Sequence, residues 1–413
     1  MPRSENGHVV AKIAPFRAFR PPASLVSRVA APPYDVVTTA EARRLAAGNP
    51  DSFLHISRPE IDLPEGTDEH ADAVYARGTE NLASLISRGT LSQDAEPHLY
   101  VYSQQMGTHH QTGLVCCAAV QDYVANVIKK HEKTRKDKED DRTRHIDTLG
   151  AHDEPVFLTY RAASAIDETI ARATAATPEY DFTTDDDIRH TLWVTPAEVT
   201  ARLVELFAGV DTLFVADGHH RSASAARVHA LRQGQPGEHD AFLVVLFPHD
   251  QMQILAYNRV VRDTQHRSAA QLLAALRERF EVADTNDPIP HRRGCFGVFI
   301  ADRWYRLTMD SQSVDPSDCV ASLDASICQD QILAPLFGIH DPRTDKNVDF
   351  VGGIRGPGEL ERRVRDDGWD LALHLFPTSI DQLMAVSEAN CLMPPKSTWF
   401  EPKLRSGLFL HEF

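Results

Sequence analysis

The sequence predicts a mixed α/β fold assembled from more than one region. Apolar stretches of strand length alternate with helical patterns over residues 126–261, which suits a mixed sheet packed against helices. The chain has 413 residues, 42% apolar and 25% charged, and is too long for one ordinary core. We therefore expect three regions: an N-terminal α/β region (1–125), a core region (126–261) and a C-terminal α/β region (262–413).

The first region combines helices with a strand hairpin. A capping signal at Thr38 precedes the first predicted helix, and Gly107 lies between the two predicted strands. The predicted elements are helices over 42–47 and 72–88 and paired strands over 97–103 and 113–120.

The other two regions carry similar signals. In the core we predict strands over 155–160, 212–215 and 241–247, a helix over 196–208, and a segment over 253–261 that completes the alternation. In the C-terminal region we predict a helix over 268–280, strands over 297–300 and 304–309, and an amphipathic segment over 324–336.

A polar cluster directly after the apolar stretch 212–215 is the most informative feature. Its residues are Asp217, Gly218, His219, His220, Arg221 and Ser222, and they open an alanine-rich helix. A strand that leads into a helix N-terminus presents unpaired N–H groups to an anion. Gly218 permits close backbone approach, and Arg221 can contact two phosphate oxygens. The cluster predicts a phosphate-binding elbow; the alternative is a turn whose histidines are merely exposed.

The second polar stretch, over residues 129–142, is almost wholly charged and mixed in sign. If it is helical, Glu132 faces Lys136 and His131 faces Arg135. The alternative is a solvated helix without a specific role.

A third stretch lies near the end of the chain, where two prolines precede Lys396, Ser397 and Thr398. A proline-stiffened loop with a cation and two hydroxyls can hold a phosphate or a carboxylate. The alternative is a terminal strand at the edge of a sheet.

Composition excludes several classes of protein. The net charge of −16 disfavours a nucleic-acid partner. The longest clean apolar run, 241–247, is far too short to span a membrane. The six cysteines lack a zinc-site spacing, so we expect reduced thiols. Residues 1–8 lack the features of a secretory signal, and a cytoplasmic location is the expectation.

The motifs resemble two groups of proteins. Over its whole length the chain resembles a widespread bacterial family of unknown function, through residues 33–36, the charged His-Glu segment, the elbow and residues 393–398. The elbow also resembles the phosphate-binding turn of the ParB/sulfiredoxin-like fold, in the version found in free serine kinases. Those kinases carry a His-Glu pair upstream, matched here by His131 and Glu132, and a Pro-Lys followed by hydroxyl residues near the end, matched by 395–398.

The resemblance implies a ParB/sulfiredoxin-like nucleotide-binding core and a kinase that uses ATP or ADP with Mg²⁺. Its acceptor would be a free amino acid, preferably L-serine, and its product O-phosphoserine. Glu132 would accept the substrate proton, and Asp217 would bind Mg²⁺ or orient the acceptor. The nucleotide would contact Gly218, His219, His220, Arg221 and Ser222. The amino acid would contact His131, Arg135, Lys396, Ser397 and Thr398.

Two other classes of function remain open from the sequence. One is a nucleotide-binding switch without amino-acid kinase activity. The other is a metal-dependent hydrolase that holds a transition metal on His131, Asp217, His219 and His220, although neighbouring helical side chains diverge by about 100°. Chains of this size commonly form symmetric dimers, so a homodimer is the oligomer we consider.

Overall fold

The computed structural model describes residues 11–310 and 314–413. Residues 1–8, for which the sequence predicts no secretory signal, lie outside the described residues. None of the helices in the described ranges is long and apolar enough to cross a membrane. Strands and helices are both abundant, and the predicted mixed α/β fold class is confirmed.

The regular elements are numbered along the chain. The strands are β1 (Ile13–Ala14), β2 (Phe19–Arg20), β3 (Ser92–Gln93), β4 (Tyr100–Met106), β5 (His109–Ala119), β6 (Ile128–Lys129), β7 (Ala151–His152), β8 (Val156–Tyr160), β9 (Tyr180–Thr183), β10 (Ile188–Val194), β11 (Leu213–Asp217), β12 (Ala241–Pro248), β13 (Gln253–Leu255), β14 (Tyr257–Val261), β15 (Glu281–Asp284), β16 (Cys295–Ile300), β17 (Arg303–Thr308), β18 (Val348–Gly352), β19 (Leu371–Leu375), β20 (Trp399–Glu401) and β21 (His411–Glu412). The helices are α1 (Val26–Val29), α2 (Thr39–Ala46), α3 (Leu54–Ser57), α4 (Asp72–Ser87), α5 (Val120–Val124), α6 (Lys136–Leu149), α7 (Ser164–Ala173), α8 (Ala197–Phe207), α9 (His219–Leu231), α10 (Ala269–Arg277), α11 (Asp324–Cys328), α12 (Ala334–Phe337), α13 (Gly356–Asp366) and α14 (Ile380–Glu388).

The described residues divide into two compact units. Unit 1 comprises the residues up to Lys130, Thr134–Met252 and Pro402–Phe413. Unit 2 comprises His131–Lys133 and Gln253–Glu401.

Unit 1 is built on a nine-stranded mixed sheet in the order β6-β11-β8-β12-β5-β4-β10-β9, with β1 also paired to β5. β12 runs parallel to β8 and β11 runs parallel to β6, whereas the other pairs are antiparallel. One apolar core packs α7, α8 and α9 against this sheet. A second core joins α2, α3 and α4 to Leu410 of the C-terminal segment.

Unit 2 is built on a six-stranded antiparallel sheet in the order β15-β17-β16-β19-β14-β18. Alternate residues of its strands point to opposite faces. One face packs against α10, α11 and α12, and the other packs against α13. β13 and β20 form a separate antiparallel pair.

Most predicted elements are present within a few residues of their expected bounds. The cap at Thr38 is a reciprocal capping box with Glu41, and β4 and β5 form the predicted hairpin around Gly107. The predicted amphipathic segment 324–336 is helical, with a π-helical turn over Gln329–Leu333 between α11 and α12. All six cysteines are free thiols, as predicted.

Three expectations are wrong or incomplete. Helix α6 begins at Lys136, so the helical pairs of Glu132 with Lys136 and of His131 with Arg135 do not form. The segment 253–261 does not extend the mixed sheet, because β14 lies between β19 and β18 in the sheet of unit 2. The terminal stretch is a loop up to Thr398 and then the strand β20, so both interpretations of it hold in part.

Candidate functional site

The predicted elbow lies between β11 and α9 of unit 1. Gly218 joins them with a φ of 90° and a ψ of 30°, a left-handed conformation that glycine adopts without steric cost. Its N–H donates to Asp217 Oδ1 at 2.8 Å. Helix α9 therefore presents its first N–H groups at the glycine turn, which is the arrangement that binds anions at helix N-termini.

Arg221 folds back over this turn. A Cβ added to Gly218 would lie 3.1 Å from Arg221 Nε and 3.2 Å from Cζ. The Arg221 side chain is 8% exposed, and its Nη1 donates to Pro155 O at 2.5 Å. Nε has no hydrogen-bond partner in the described part of the chain. A buried guanidinium with an unused donor beside a helix N-terminus is suited to an anion.

Glu154 is a buried carboxyl group close to Arg221. Its Oε2 lies 3.8 Å from Arg221 Nη1, and its Oε1 accepts from Tyr34 N–H at 2.9 Å and from Ser406 Oγ at 2.7 Å. Burial raises the pKa of Glu154 to about 7, against the opposing effect of Arg221. Ionisation of Glu154 near neutral pH therefore changes the charge beside Arg221.

Asp217 forms an ion pair at the end of β11. Lys403 Nζ lies 2.9 Å from Asp217 Oδ2, with side-chain exposures of 16% and 29%. Burial disfavours ionisation of Asp217, but Lys403 and Arg221 outweigh it and hold its pKa well below the usual range. The carboxylate is therefore charged at every physiological pH.

The other elbow residues differ in how their side chains are used. His219 is buried. Ser222 turns back on the helix, because its N–H and Oγ both donate to Gly218 O, at 3.0 and 3.2 Å. His220 Nε2 accepts from the N–H of Arg135 at 3.1 Å.

Arg135 thus touches the elbow through its backbone. Its guanidinium binds the carboxylate of Asp137, with Nη2 2.7 Å from Oδ2 and Nε 3.2 Å from Oδ1. The structure therefore brings Arg135 and the whole elbow together in unit 1. In this structure the Arg135 side chain is turned to its own helix.

In unit 2, the structure brings His131 together with the loop over residues 393–398. The carbonyl of His131 accepts from Met393 N–H at 2.8 Å, and its Nε2 lies 3.4 Å from Thr398 Oγ1. His131 is buried, and Glu132 is partly buried.

The loop itself is tightly held. Ser397 Oγ donates to Pro394 O at 2.6 Å, and Thr378 Oγ1 donates to Ser397 O at 2.8 Å. Lys396 has a φ of 59° and is exposed, with Nζ 5.4 Å from the ring centre of Tyr257.

Arg259 supports this loop from within unit 2. Its Nη2 donates to Lys396 O at 3.0 Å, and its guanidinium lies 5.0 Å from the ring centre of Phe350. Burial lowers the pKa of Arg259. A buried cation that donates to Lys396 O fixes the backbone of Lys396 at a cost in desolvation.

Sequence reasoning missed Lys403, Glu154 and Arg259. Lys403 carried a usable signal, since Pro402-Lys403 repeats the Pro-Lys pair at 395–396 a few residues later. Glu154 and Arg259 carried none, because a charged residue within or beside a strand looks the same in sequence whether it is buried or exposed.

Comparisons with known proteins place the chain among its relatives. A family model described as "Protein of unknown function (DUF1015)" matches residues 13–326, which confirms the resemblance to a family of unknown function over that range. No curated protein matches the sequence.

Similar solved structures include free serine kinases, the class that the motifs resemble. A free serine kinase in complex with AMP is 10% identical, with a TM-score of 0.37, over 70% of this chain and 86% of that chain. SbnI with a C-terminal truncation, from Staphylococcus aureus, is 12% identical, with a TM-score of 0.37, over 71% of this chain and 85% of that chain. Scores this low establish neither a shared activity nor a shared substrate, so function has to be inferred from the residues of this chain.

Proposed function

Since this chain belongs to the DUF1015 family, described as of unknown function, we propose its activity from its own site. It is a nucleotide-dependent phosphotransferase that phosphorylates the hydroxyl of a free amino acid. The preferred acceptor is L-serine and the product is O-phosphoserine. The donor is ATP or ADP.

The observation that carries this proposal is the geometry of the elbow. Gly218 turns the chain into the N-terminus of α9 in a left-handed conformation, and its missing side chain leaves room for the buried Arg221 guanidinium, whose Nε is unused. These groups supply the backbone donors and the planar cation that polyphosphate recognition requires. His219 and His220 would add donors at the start of the helix.

The reaction is an in-line displacement at phosphorus. The serine hydroxyl oxygen attacks the terminal phosphorus of the nucleotide, the bond to the leaving ADP or AMP oxygen breaks, and the hydroxyl proton passes to the Glu132 carboxylate. The role of Glu132 follows from the resemblance to serine kinases, and its partial burial suits a carboxylate that acts as a base.

The loop over residues 393–398 is proposed to bind the amino acid. Lys396 is exposed. The backbone of its loop is fixed by hydrogen bonds from Arg259 to Lys396 O and from Thr378 to Ser397 O. Lys396 can therefore offer a cation to the carboxylate of the acceptor. Thr398 and His131 would orient the acceptor. The Ser397 hydroxyl is engaged with Pro394 O and would have to exchange that bond to bind substrate.

Mg²⁺ fits the elbow as an ion carried by the nucleotide. Mg²⁺ is usually held by one or two carboxylates together with substrate phosphates, and Asp217 offers one carboxylate beside the turn. The ion would neutralise charge on the transferred group. The homodimer considered from chain length stays a prediction.

A direct assay tests the proposal. Purified protein is incubated with ATP or ADP, Mg²⁺ and L-serine, and phosphoserine is measured by mass. Glu132→Gln should lower turnover by about 10²–10⁴-fold, the usual contribution of a general base. Glu281→Gln, at an exposed position on β15, is the matched control and should retain full activity.

The same assay separates the alternatives. Nucleotide hydrolysis that is indifferent to added amino acid would indicate a switch. Full phosphoserine production by Glu132→Gln would remove the assigned mechanism.

A further inference from the structure

The C-terminal segment Pro402–Phe413 returns to unit 1 and delivers a lysine to the elbow. Lys403 Nζ lies 2.9 Å from Asp217 Oδ2, although the two residues are 186 positions apart in sequence. Both side chains keep some solvent exposure, 16% for Lys403 and 29% for Asp217. The pair is therefore not fully sealed from solvent.

The backbone at Lys403 is held in place by buried groups. Gln104 Nε2 donates to Lys403 O at 2.8 Å, and Gln104 is itself fixed by Gln111 Nε2 at 3.0 Å. Two residues further on, Arg405 Nε lies 3.3 Å from His190 Nε2 and its Nη2 binds Asp186. The lysine is therefore pre-positioned, and little ordering entropy remains to be lost when it binds a ligand.

The elbow already holds a second cation, Arg221, that keeps one unused hydrogen-bond donor. Arg221 is 8% exposed, lies over Gly218, and has no hydrogen-bond partner for Nε among residues 11–310 and 314–413. Lys403 thus contacts Asp217, and Arg221 lies over the next residue, Gly218. A ligand with several negative oxygens could bind both Arg221 and Lys403. The single carboxylate of Asp217 forms a hydrogen bond with Lys403 but leaves Arg221 Nε without a partner in the described residues.

We propose that Lys403 is a phosphate-binding residue, and that its Nζ exchanges Asp217 for an oxygen of a bound polyphosphate. The ligand class is the diphosphate or triphosphate of a nucleotide, and this choice rests on the proposed function. In the free protein the Asp217 carboxylate forms an ion pair with the Lys403 ammonium group. In the complex a phosphate oxygen takes its place, and the Asp217 carboxylate is released.

Binding of inorganic pyrophosphate and of ADP, measured by calorimetry with EDTA present, tests the exchange. Lys403→Met should weaken both ligands by about tenfold or more, the usual loss for a charge-assisted hydrogen bond. Lys12→Met removes the same charge at an exposed position of unit 1 and should leave both affinities unchanged. Lys403→Arg should restore most of the loss.

The direction in which Asp217→Asn changes pyrophosphate affinity decides whether the ion pair competes with the ligand. Removing the competing carboxylate should tighten pyrophosphate binding several-fold without metal, opposite to the effect of Lys403→Met. If the ion pair is only structural, the two variants should change affinity in the same direction or not at all, and that result would overturn the proposal. Binding of neither ligand by the wild type would overturn it as well.

These outcomes are separate from those of the phosphotransfer assay. Polyphosphate binding that depends on Lys403, in a protein that makes no phosphoserine, would support the inference and reject the proposed reaction. Phosphoserine production with unchanged pyrophosphate and ADP affinities in Lys403→Met would support the proposed reaction and reject the role of Lys403.

Discussion

Replacing Gly218 by alanine should damage anion binding more than its effect on stability explains. At a φ of 90° an alanine costs about 1–2 kcal/mol relative to glycine. The new Cβ would also lie 3.1–3.2 Å from the Nε, Cζ and Nη2 atoms of Arg221. The guanidinium must then shift by a few tenths of an ångström from a position set by Pro155 and Glu154.

A second glycine isolates the effect of the backbone. Gly107, in the β4–β5 turn, has a φ of 58° and would meet nothing within 4 Å if it carried a Cβ. Gly107→Ala should therefore also lower the free energy of unfolding by about 1–2 kcal/mol, while leaving the elbow intact. Both variants should lower the melting temperature by a few degrees.

Calorimetric titration with ADP is the measurement that separates the two variants. We expect Gly218→Ala to lose about tenfold or more in affinity, as for a lost charged hydrogen bond, and Gly107→Ala to bind like the wild type. Equal ADP affinities in two folded variants would refute the assignment of the elbow as the phosphate site.

Two more predictions concern buried charges. The folded-state pKa of Glu154 is raised from 4.5 to about 7, so its contribution to stability is complete below about pH 4.5 and is lost as the pH rises through about 7. Urea unfolding should show the stability of Glu154→Gln improving relative to the wild type from about pH 5 to about pH 8, and a difference that does not vary with pH would contradict the burial argument. Arg259→Met removes the donor to Lys396 O and should raise the KM for L-serine while leaving ADP affinity unchanged; an unchanged KM would show that the loop does not depend on Arg259.

Local signals predicted most of the regular structure. The capping box at Thr38 involves residues three positions apart, and the β4–β5 hairpin needs only a turn between two apolar runs. The strand, glycine and helix of the elbow are likewise adjacent in sequence, so the arrangement around Gly218 was readable from the residues alone.

The structural features that sequence patterns did not predict depend on contacts between residues far apart in the chain. The charged run starts as an extended segment in which the carbonyl of His131 accepts from Met393 N–H, and nothing near residue 131 encodes that partner. The return of the C-terminal segment to unit 1, through Lys403 and the β21–β7 pair, is of the same kind. Periodicity reports which face of an element is buried but not which element covers it.

The proximity of Glu154 to Arg221 predicts that anion binding is coupled to proton uptake. A phosphate beside Arg221 shares its guanidinium with Glu154, whose Oε2 lies 3.8 Å from Nη1, and the two negative groups repel each other. Binding should therefore raise the pKa of Glu154 above its value of about 7 and take up protons near neutral pH.

Calorimetry of pyrophosphate binding in two buffers of different ionisation enthalpy counts these protons. Pyrophosphate titrates on its own, so the useful quantity is the difference between the wild type and Glu154→Gln, in which the ligand's own protons cancel. We expect the wild type to take up a larger fraction of a proton. Equal uptake by both proteins would mean that the anion does not act on Arg221. An anion bound to that guanidinium would change the electrostatic potential at the Glu154 carboxyl group, whose Oε2 lies 3.8 Å from Arg221 Nη1.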